Sequence, residues 1–271
     1  GPIDTFQLTG TQLNKNALKK ILNWGTTPWV NLTSAFQNCY GLTNIDKSDF
    51  YSDVAVNLTS AFENCNNLTT VDFTGWKATG LTSLSSWFKD CTSLTSFLMK
   101  GNINLNPSTA NHNSLFENSG AATGCSFDMD SINFSTTTGS QQTKQWFYNS
   151  NIKIDSKLTN WTFPAANWNL EDFFYDANII GSNETLDISN WTLPNNSSTS
   201  LKEMFRNFSV NGTGAEQVVN MTNWNFGSIG VMNGFLQGTG IRRITGLSTW
   251  IANGLTNISN ILNGAVNFSI D

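Results

Sequence analysis

Asn57-Leu58-Thr59-Ser60-Ala61-Phe62-Glu63-Asn64-Cys65-Asn66-Asn67-Leu68-Thr69-Thr70-Val71-Asp72-Phe73-Thr74-Gly75-Trp76 decides the reading of the whole chain. Its first six residues repeat Asn31-Leu32-Thr33-Ser34-Ala35-Phe36, 26 positions earlier. An apolar residue followed by Phe then recurs at Trp87-Phe88, Leu115-Phe116, Trp146-Phe147, Phe173-Phe174, Met204-Phe205 and Gly234-Phe235, and Ile261-Leu262 supplies a ninth anchor with Leu for Phe. The intervals between second members are 26, 26, 28, 31, 27, 31, 30 and 27 residues. Self-similarity at such a period is the signature of stacked repeats.

The flanks repeat too. Cys39, Cys65 and Cys91 follow the anchors by three residues, and Leu42, Leu68 and Leu94 follow by six. A tryptophan closes several units, at Trp76, Trp161, Trp191, Trp224 and Trp250, with Phe50 in that place in the first. Two periods coexist within a unit. Leu58, Ala61 and Phe62 fall at i, i+3 and i+4, which predicts one face of a short helix, whereas Val71-Asp72-Phe73 alternates as a strand does. Neither apolar face can be buried by so short a unit alone, so neighbours must stack. The expected fold is an α/β, leucine-rich-repeat-like solenoid of about nine coils, each with a short strand and a short helix, over residues 30–271. Residues 1–29 are expected to hold a tag scar at Gly1-Pro2 and a cap helix over 11–24. Leu13, Ala17, Leu18, Ile21 and Leu22 share one face of that helix, Gly25 stops it and Pro28 lies just beyond. Asn267–Asp271 reads as a ninth strand, left uncapped as if the parent chain continues.

Composition narrows the function classes. Only 12% of the residues are charged, about half the usual share of roughly 25%, while 12% are aromatic, a content that disordered chains lack. The net charge is −5 and the 14 Lys and Arg are scattered, so the phosphate-neutralising clusters of a nucleic-acid binder are missing. No apolar run approaches the ~18 residues needed to span a bilayer, which argues against direct membrane insertion.

The unit Phe62-x-x-Cys65-x-x-Leu68-x-x-Val71-Asp72-Phe73-x-x-Trp76 resembles the repeat of BspA-like leucine-rich-repeat bacterial surface proteins. The likeness spans roughly residues 30–271, close in the second and third units and loose from the fourth to the eighth. It implies an extracellular, cell-surface or virion setting, as in phage tail fibres, and a role in adhesion and host contact. It carries no catalytic residues.

Chemistry-bearing residues are sparse. His112 is the single histidine, in an Asn-rich stretch without a Cys or carboxylate cluster nearby, and reads as structural. The three in-register cysteines read as buried free thiols, since stacked turns ~8–10 Å apart exceed the ~7 Å limit for a disulfide; Cys125 is out of register. Asp128 and Asp130 make a weak Asp-x-Asp calcium motif, and Glu171-Asp172 reads as helix-start charge. No catalytic residue, cofactor or metal is expected. Of the tryptophans, Trp24, Trp29 and Trp168 stand off the repeat and are candidates to touch a ligand. The many Asn-x-Ser/Thr sites, Asn31, Asn57 and Asn220 among them, read as caps. The Thr43, Thr69 and Thr95 column suggests ice binding, but it ends after three units.

The residue between two inward strand positions faces outward. That column is Asp46, Asp72, Leu98, Lys157, Asp187 and Asn220, followed two places on by Ser48, Thr74, Lys100, Thr159, Ser189 and Thr222. A repeated, varied face is where solenoids bind partners, so this column and the inserts 135–142 and 194–200 are the candidate contacts for a host or cell-surface protein or glycan. The alternative role is a passive spacer in a larger surface or phage tail protein.

Overall fold

The computed structural model describes residues 7–8, 12–25, 28–46, 50–100, 102–104, 111–135, 140–164, 167–181, 185–193, 196–211, 218–249, 251–253, 255–265 and 269–270. They form a parallel β-solenoid of about seven turns with almost no helix. The solenoid is as expected; the helix in each coil, the α/β class and the count of nine are not. The anchors do recur nine times, but the main sheet tapers to two-residue strands at both ends, Lys20–Ile21 and Ser269–Ile270.

One coil shows how sequence becomes structure. Asn57 Oδ1 accepts a hydrogen bond from Thr59 N at 2.9 Å and turns the chain. Ser60 and Asn64 then adopt left-handed φ angles of 54° and 62°, which break any helix before it can propagate. Within the resulting turn, Ala61 N and Cys65 N donate back to Leu58 O and Phe62 O. Such i→i−3 bonds place Leu58, Ala61 and Phe62 on one inward side, just as a helix would, which is why the i, i+3, i+4 spacing suggested one. A helix, however, keeps its N–H groups for itself. Here Ser60, Phe62 and Asn64 donate to Ser85, Trp87 and Lys89 of the next coil at 2.8–2.9 Å.

After the turn, Leu68 points inward and Thr70–Asp72 joins the main sheet. Its order runs through Asn44–Ile45, Thr70–Asp72, Ser96–Leu98 and Ser126–Asp128, all parallel and in register. The bridges Asp128↔Lys157 and Lys157↔Asp187 carry it on to Thr185–Asp187, Val218–Asn220, Arg243–Thr245 and Ser269–Ile270. On the opposite flank, Tyr51–Asn57 pairs with Lys77–Ser83. In longer coils this flank divides into two ladders, with the extra residues between them.

The core is a file of aromatic rings. Phe36, Phe62, Phe88, Phe116, Phe147, Phe174 and Phe205 stack successively at centroid distances of 5.0–5.9 Å, within 21° of parallel. Phe205 meets Phe235 edge-on instead, at 78°. The hydrogen bonds explain the change. Each second anchor residue donates to the first anchor residue of the next coil, and Phe205 N donates to Phe235 O. The eighth anchor is therefore Phe235-Leu236, with Gly234 (φ 65°) in the place of Ser60, and the expected Gly234-Phe235 pair is one residue early. The tryptophans form a second file: Trp161, Trp191 and Trp224 stack at 4.8 and 5.1 Å, and their indole N–H groups donate to Met129, Leu158 and Ile188 carbonyls at 2.6 Å. Trp250 lies outside the described residues.

The N-terminal cap is shorter than predicted. Gln12–Ala17 is helical, but the chain then enters the sheet as an edge strand, Lys20–Ile21 against Asn44–Ile45. Lys19 O and Ile21 O accept from Thr43 N and Asp46 N; pairing with the sheet outcompetes further helix, and Ala17 and Leu22 consequently face solvent. Gly41 permits this cap, since a Cβ there would lie 1.9 Å from Asn16 O.

Two substitutions test the stack. Phe147→Ala, in the middle of the file, should lower unfolding stability by about 3–5 kcal/mol in urea titration. Ser156→Ala should cost about 1–3 kcal/mol, because Ser156 Oγ accepts from Phe127 N at 3.0 Å where the fifth coil departs from the ladder.

Candidate functional site

The structure places the expected strand-face column in one continuous row. Asp72 pairs with Leu98, Leu98 with Asp128, Asp128 with Lys157, Lys157 with Asp187, and Asp187 with Asn220. Asp46 lies at the head of the same row, next to the paired Ile45 and Val71. Asp128, read from sequence only as half of a calcium motif, belongs to the row as well.

Much of this row is occupied by the fold itself. Asp72 Oδ1 accepts from Thr74 N at 2.7 Å, Asp187 Oδ1 from Ser189 N at 3.0 Å, and Asn220 Oδ1 from Thr222 N at 3.0 Å. Each side chain thus closes the turn that leads to the next tryptophan or its equivalent. Asn220 Nδ2 also donates to Asp187, and Asp46 accepts from Asn44 Nδ2. Leu98 is half-buried and Lys157 is exposed; those two keep side chains available to a partner. In the neighbouring column, Lys100 pairs with Asp128 at 3.0 Å, Thr159 donates to Asp130, Ser189 is buried, and Ser48 lies outside the described residues.

A second row, not singled out from sequence, runs along the turn edge one place after each anchor. It comprises Gln37, Glu63, Lys89, Glu117, Tyr148, Tyr175, Arg206 and Gln237, all half-buried. Gln37 donates to Glu63 at 2.9 Å, and Lys89 pairs with Glu117 at 2.9 Å. Tyr148 and Tyr175 stack at 5.3 Å, with the Arg206 guanidinium 5.3 Å from the centre of the Tyr175 ring. Beside them, Lys144 pairs with Glu171 at 2.7 Å and Arg206 with Glu203 at 2.6 Å. Burial opposes ionisation of Glu171, but Lys144 and Ser200 outweigh it and hold its pKa below the usual range. Asp172 moves the other way, raised by burial and by Glu203 and Glu171. The signal in the sequence was the anchor itself: one residue past the second anchor member gives the first seven positions, and the shifted eighth anchor, Phe235-Leu236, hides Gln237.

The inserts are tied down at their ends. Ser140–Gln142 pairs with Asn167–Asn169, and Ser200 bridges Asn169 and Val231; residues 136–139 and 194–195 lie outside the described set. Trp168 is buried and donates to Pro164 O at 3.0 Å, so it is packing. Trp24 is buried and Trp29 half-buried, edge-to-face at 6.3 Å.

The cysteines are free and buried. Cys65 and Cys91 donate S–H to Phe36 O and Phe62 O, at 3.2 and 3.3 Å. Ser119 and Ser150 make the same bond to Phe88 O and Phe116 O, so the cysteine lost from later units is replaced by a hydroxyl with the same task. Burial raises the pKa of every one of the four thiols, which makes thiolate chemistry unfavourable. Asp130 is engaged by Thr159 and Asn160, and among the described residues no group of three His, Cys, Asp or Glu could hold a metal ion. The Thr69 and Thr95 hydroxyls donate to Thr43 O and Thr69 O, which turns that column to the backbone and leaves it poorly suited to match ice.

His112 is fully buried in the slot that Leu32, Leu58 and Leu84 fill in earlier coils. Its Nδ1 accepts from Leu84 N at 3.1 Å, and burial pushes its pKa down to about 4 against the support of Gln141. No family model, curated protein or solved structure matches the chain.

The histidine yields a pH prediction. The unfolded chain takes up a proton on His112 near pH 6.5, whereas the folded chain resists until about pH 4. Its contribution is therefore intact above pH 6.5 and is lost as the pH falls towards 4, by about 3 kcal/mol in all. His112→Leu should remove that share of the acid sensitivity, read as a smaller drop in urea midpoint between pH 7 and pH 4 than in the parent chain.

Proposed function

We propose that this chain is a non-catalytic adhesion or receptor-recognition module, displayed on a cell or virion surface, that binds a host or cell-surface protein or glycan. The observation that carries the reading is the turn-edge row. One backbone position, held constant by the ladder, presents Gln, Glu, Lys, Glu, Tyr, Tyr, Arg and Gln in successive coils. A rigid frame with chemically varied, half-exposed side chains is suited to recognition, and Tyr and Arg are the residues that most often dominate interfaces. The fifth to seventh coils, with Tyr148, Tyr175 and Arg206, form the centre of the proposed contact; Leu98 and Lys157 on the strand face are secondary. The likeness of the Phe62–Trp76 unit to BspA-like surface repeats points to the same setting. Among the described residues, no helix is long and apolar enough to cross a membrane.

A passive spacer is the second reading, favoured by the unbroken ladder of inter-coil hydrogen bonds, which stiffens the solenoid along its axis. Arrays of host proteins and glycans probed with the chain separate the two. A recognition module should give a saturable binder weakened at least about tenfold by the combined Tyr148→Ala and Arg206→Ala changes. A spacer should give no signal above background.

A further inference from the structure

The N-terminal end differs from the rest of the solenoid in exposed surface. Beyond Ile21 the chain runs on round the first coil to the Asn31↔Asn57 bridge, and this coil has a neighbour on one side only along the main sheet. Leu18, Ile21, Leu22, Trp24, Trp29 and Phe36 are left lining an open cleft of about 470 Å³, with Lys20 on its wall. That volume lies within the ~300–1,000 Å³ of small-molecule sites. Leu22 is 66% exposed, the most of any large hydrophobic residue among those described, while Trp24 is fixed edge-to-face against Phe36 and Phe50 at 5.9 and 5.4 Å. The cleft is thus apolar and rigidly backed.

Lys20 is the one charged residue among those lining the cleft; Asp46, level with Leu22 on the next strand, donates its N–H to Ile21 O and has its carboxylate held by Asn44 Nδ2. Lys15 Nζ donates to Gln37 O at 2.8 Å; Lys19 and Lys20 are exposed. We propose that this cleft binds a single-chain anionic amphiphile, a long-chain carboxylate, with its hydrocarbon against Leu18, Leu22 and Trp29 and its head group at Lys20. Burial of the alkyl chain supplies the attraction, and the lysines select the sign of the head. A glycan would leave Leu22 in water, and a cationic amphiphile would face uncompensated like charge. This site is independent of the turn edge, so either can fail alone.

Calorimetric titration of the intact chain with dodecanoate, below its micelle concentration, tests the assignment. One saturable site is expected, weakened at least about tenfold by Leu22→Asp and by Lys20→Glu and unchanged by Arg242→Glu, at an exposed position near the other end of the solenoid, with all three variants melting as the parent does. Absence of saturable heat, equal binding of dodecyltrimethylammonium, or indifference to both cleft substitutions would overturn it. Binding to phosphatidylglycerol vesicles without binding to free dodecanoate would also overturn it, in favour of a membrane-contact surface.

Discussion

Every second amide of each six-residue turn must leave its own coil and reach a carbonyl of the next, and the rest of the structure depends on that constraint. It forces two left-handed residues per turn, Ser34 and Asn38 in the first, Ser60 and Asn64 in the second, Ser86 and Asp90 in the third. For most residues such a conformation costs about 1–2 kcal/mol, which accounts for the residues found at the second site: Asn, Asp or Gly in every coil from Asn38 to Gly264. The bonds also fix the axial spacing at which consecutive phenylalanines meet face to face. Hydrogen-bond rung and aromatic file are two consequences of one backbone geometry, and the low charge of the chain follows from both, since Asn, Ser and Thr close the turns that carry them.

Coils of unequal length share this scaffold because insertions fall between ladders. In the fifth to seventh coils an additional three-stranded ladder, Asn151–Lys153, Asn178–Ile180 and Ser209–Asn211, opens beside the main sheet. The main sheet narrows there to the single bridge at Lys157. Side chains repair the gap: Ser156 takes the amide of Phe127 that a backbone carbonyl accepts elsewhere. The turn edge is left untouched by these changes, which is why its row of side chains stays aligned from Gln37 to Gln237 while their chemistry changes.

The repeat and the strand-face register were legible in the sequence because they depend on apolar residues at fixed separations. Leu98, Lys157, Asp187 and Asn220 could be aligned across intervals of unequal length since each follows an inward residue, Phe97 or its counterpart. The helix was misread because Leu58, Ala61 and Phe62 keep the same spacing in two consecutive turns as in a helix; only the backbone signs at Ser60 and Asn64 distinguish them. The eighth anchor slipped by one because Gly234 stands where a serine usually does and Leu236 replaces Phe. The proposed contact was less legible still. Asp72, Asp187 and Asn220 look like display residues until their oxygens are seen to close local turns, and the Tyr148–Tyr175–Arg206 stack is invisible without knowing that consecutive coils align.

The turns are bonded between coils and not wound as helices, and scalar couplings across hydrogen bonds in NMR distinguish the two arrangements. The Phe62 amide nitrogen should couple to the Trp87 carbonyl carbon and the Phe88 amide to that of Leu115. Coupling of the Phe62 amide to the Leu58 carbonyl, the i→i−4 partner of a helix, would contradict bonding between coils.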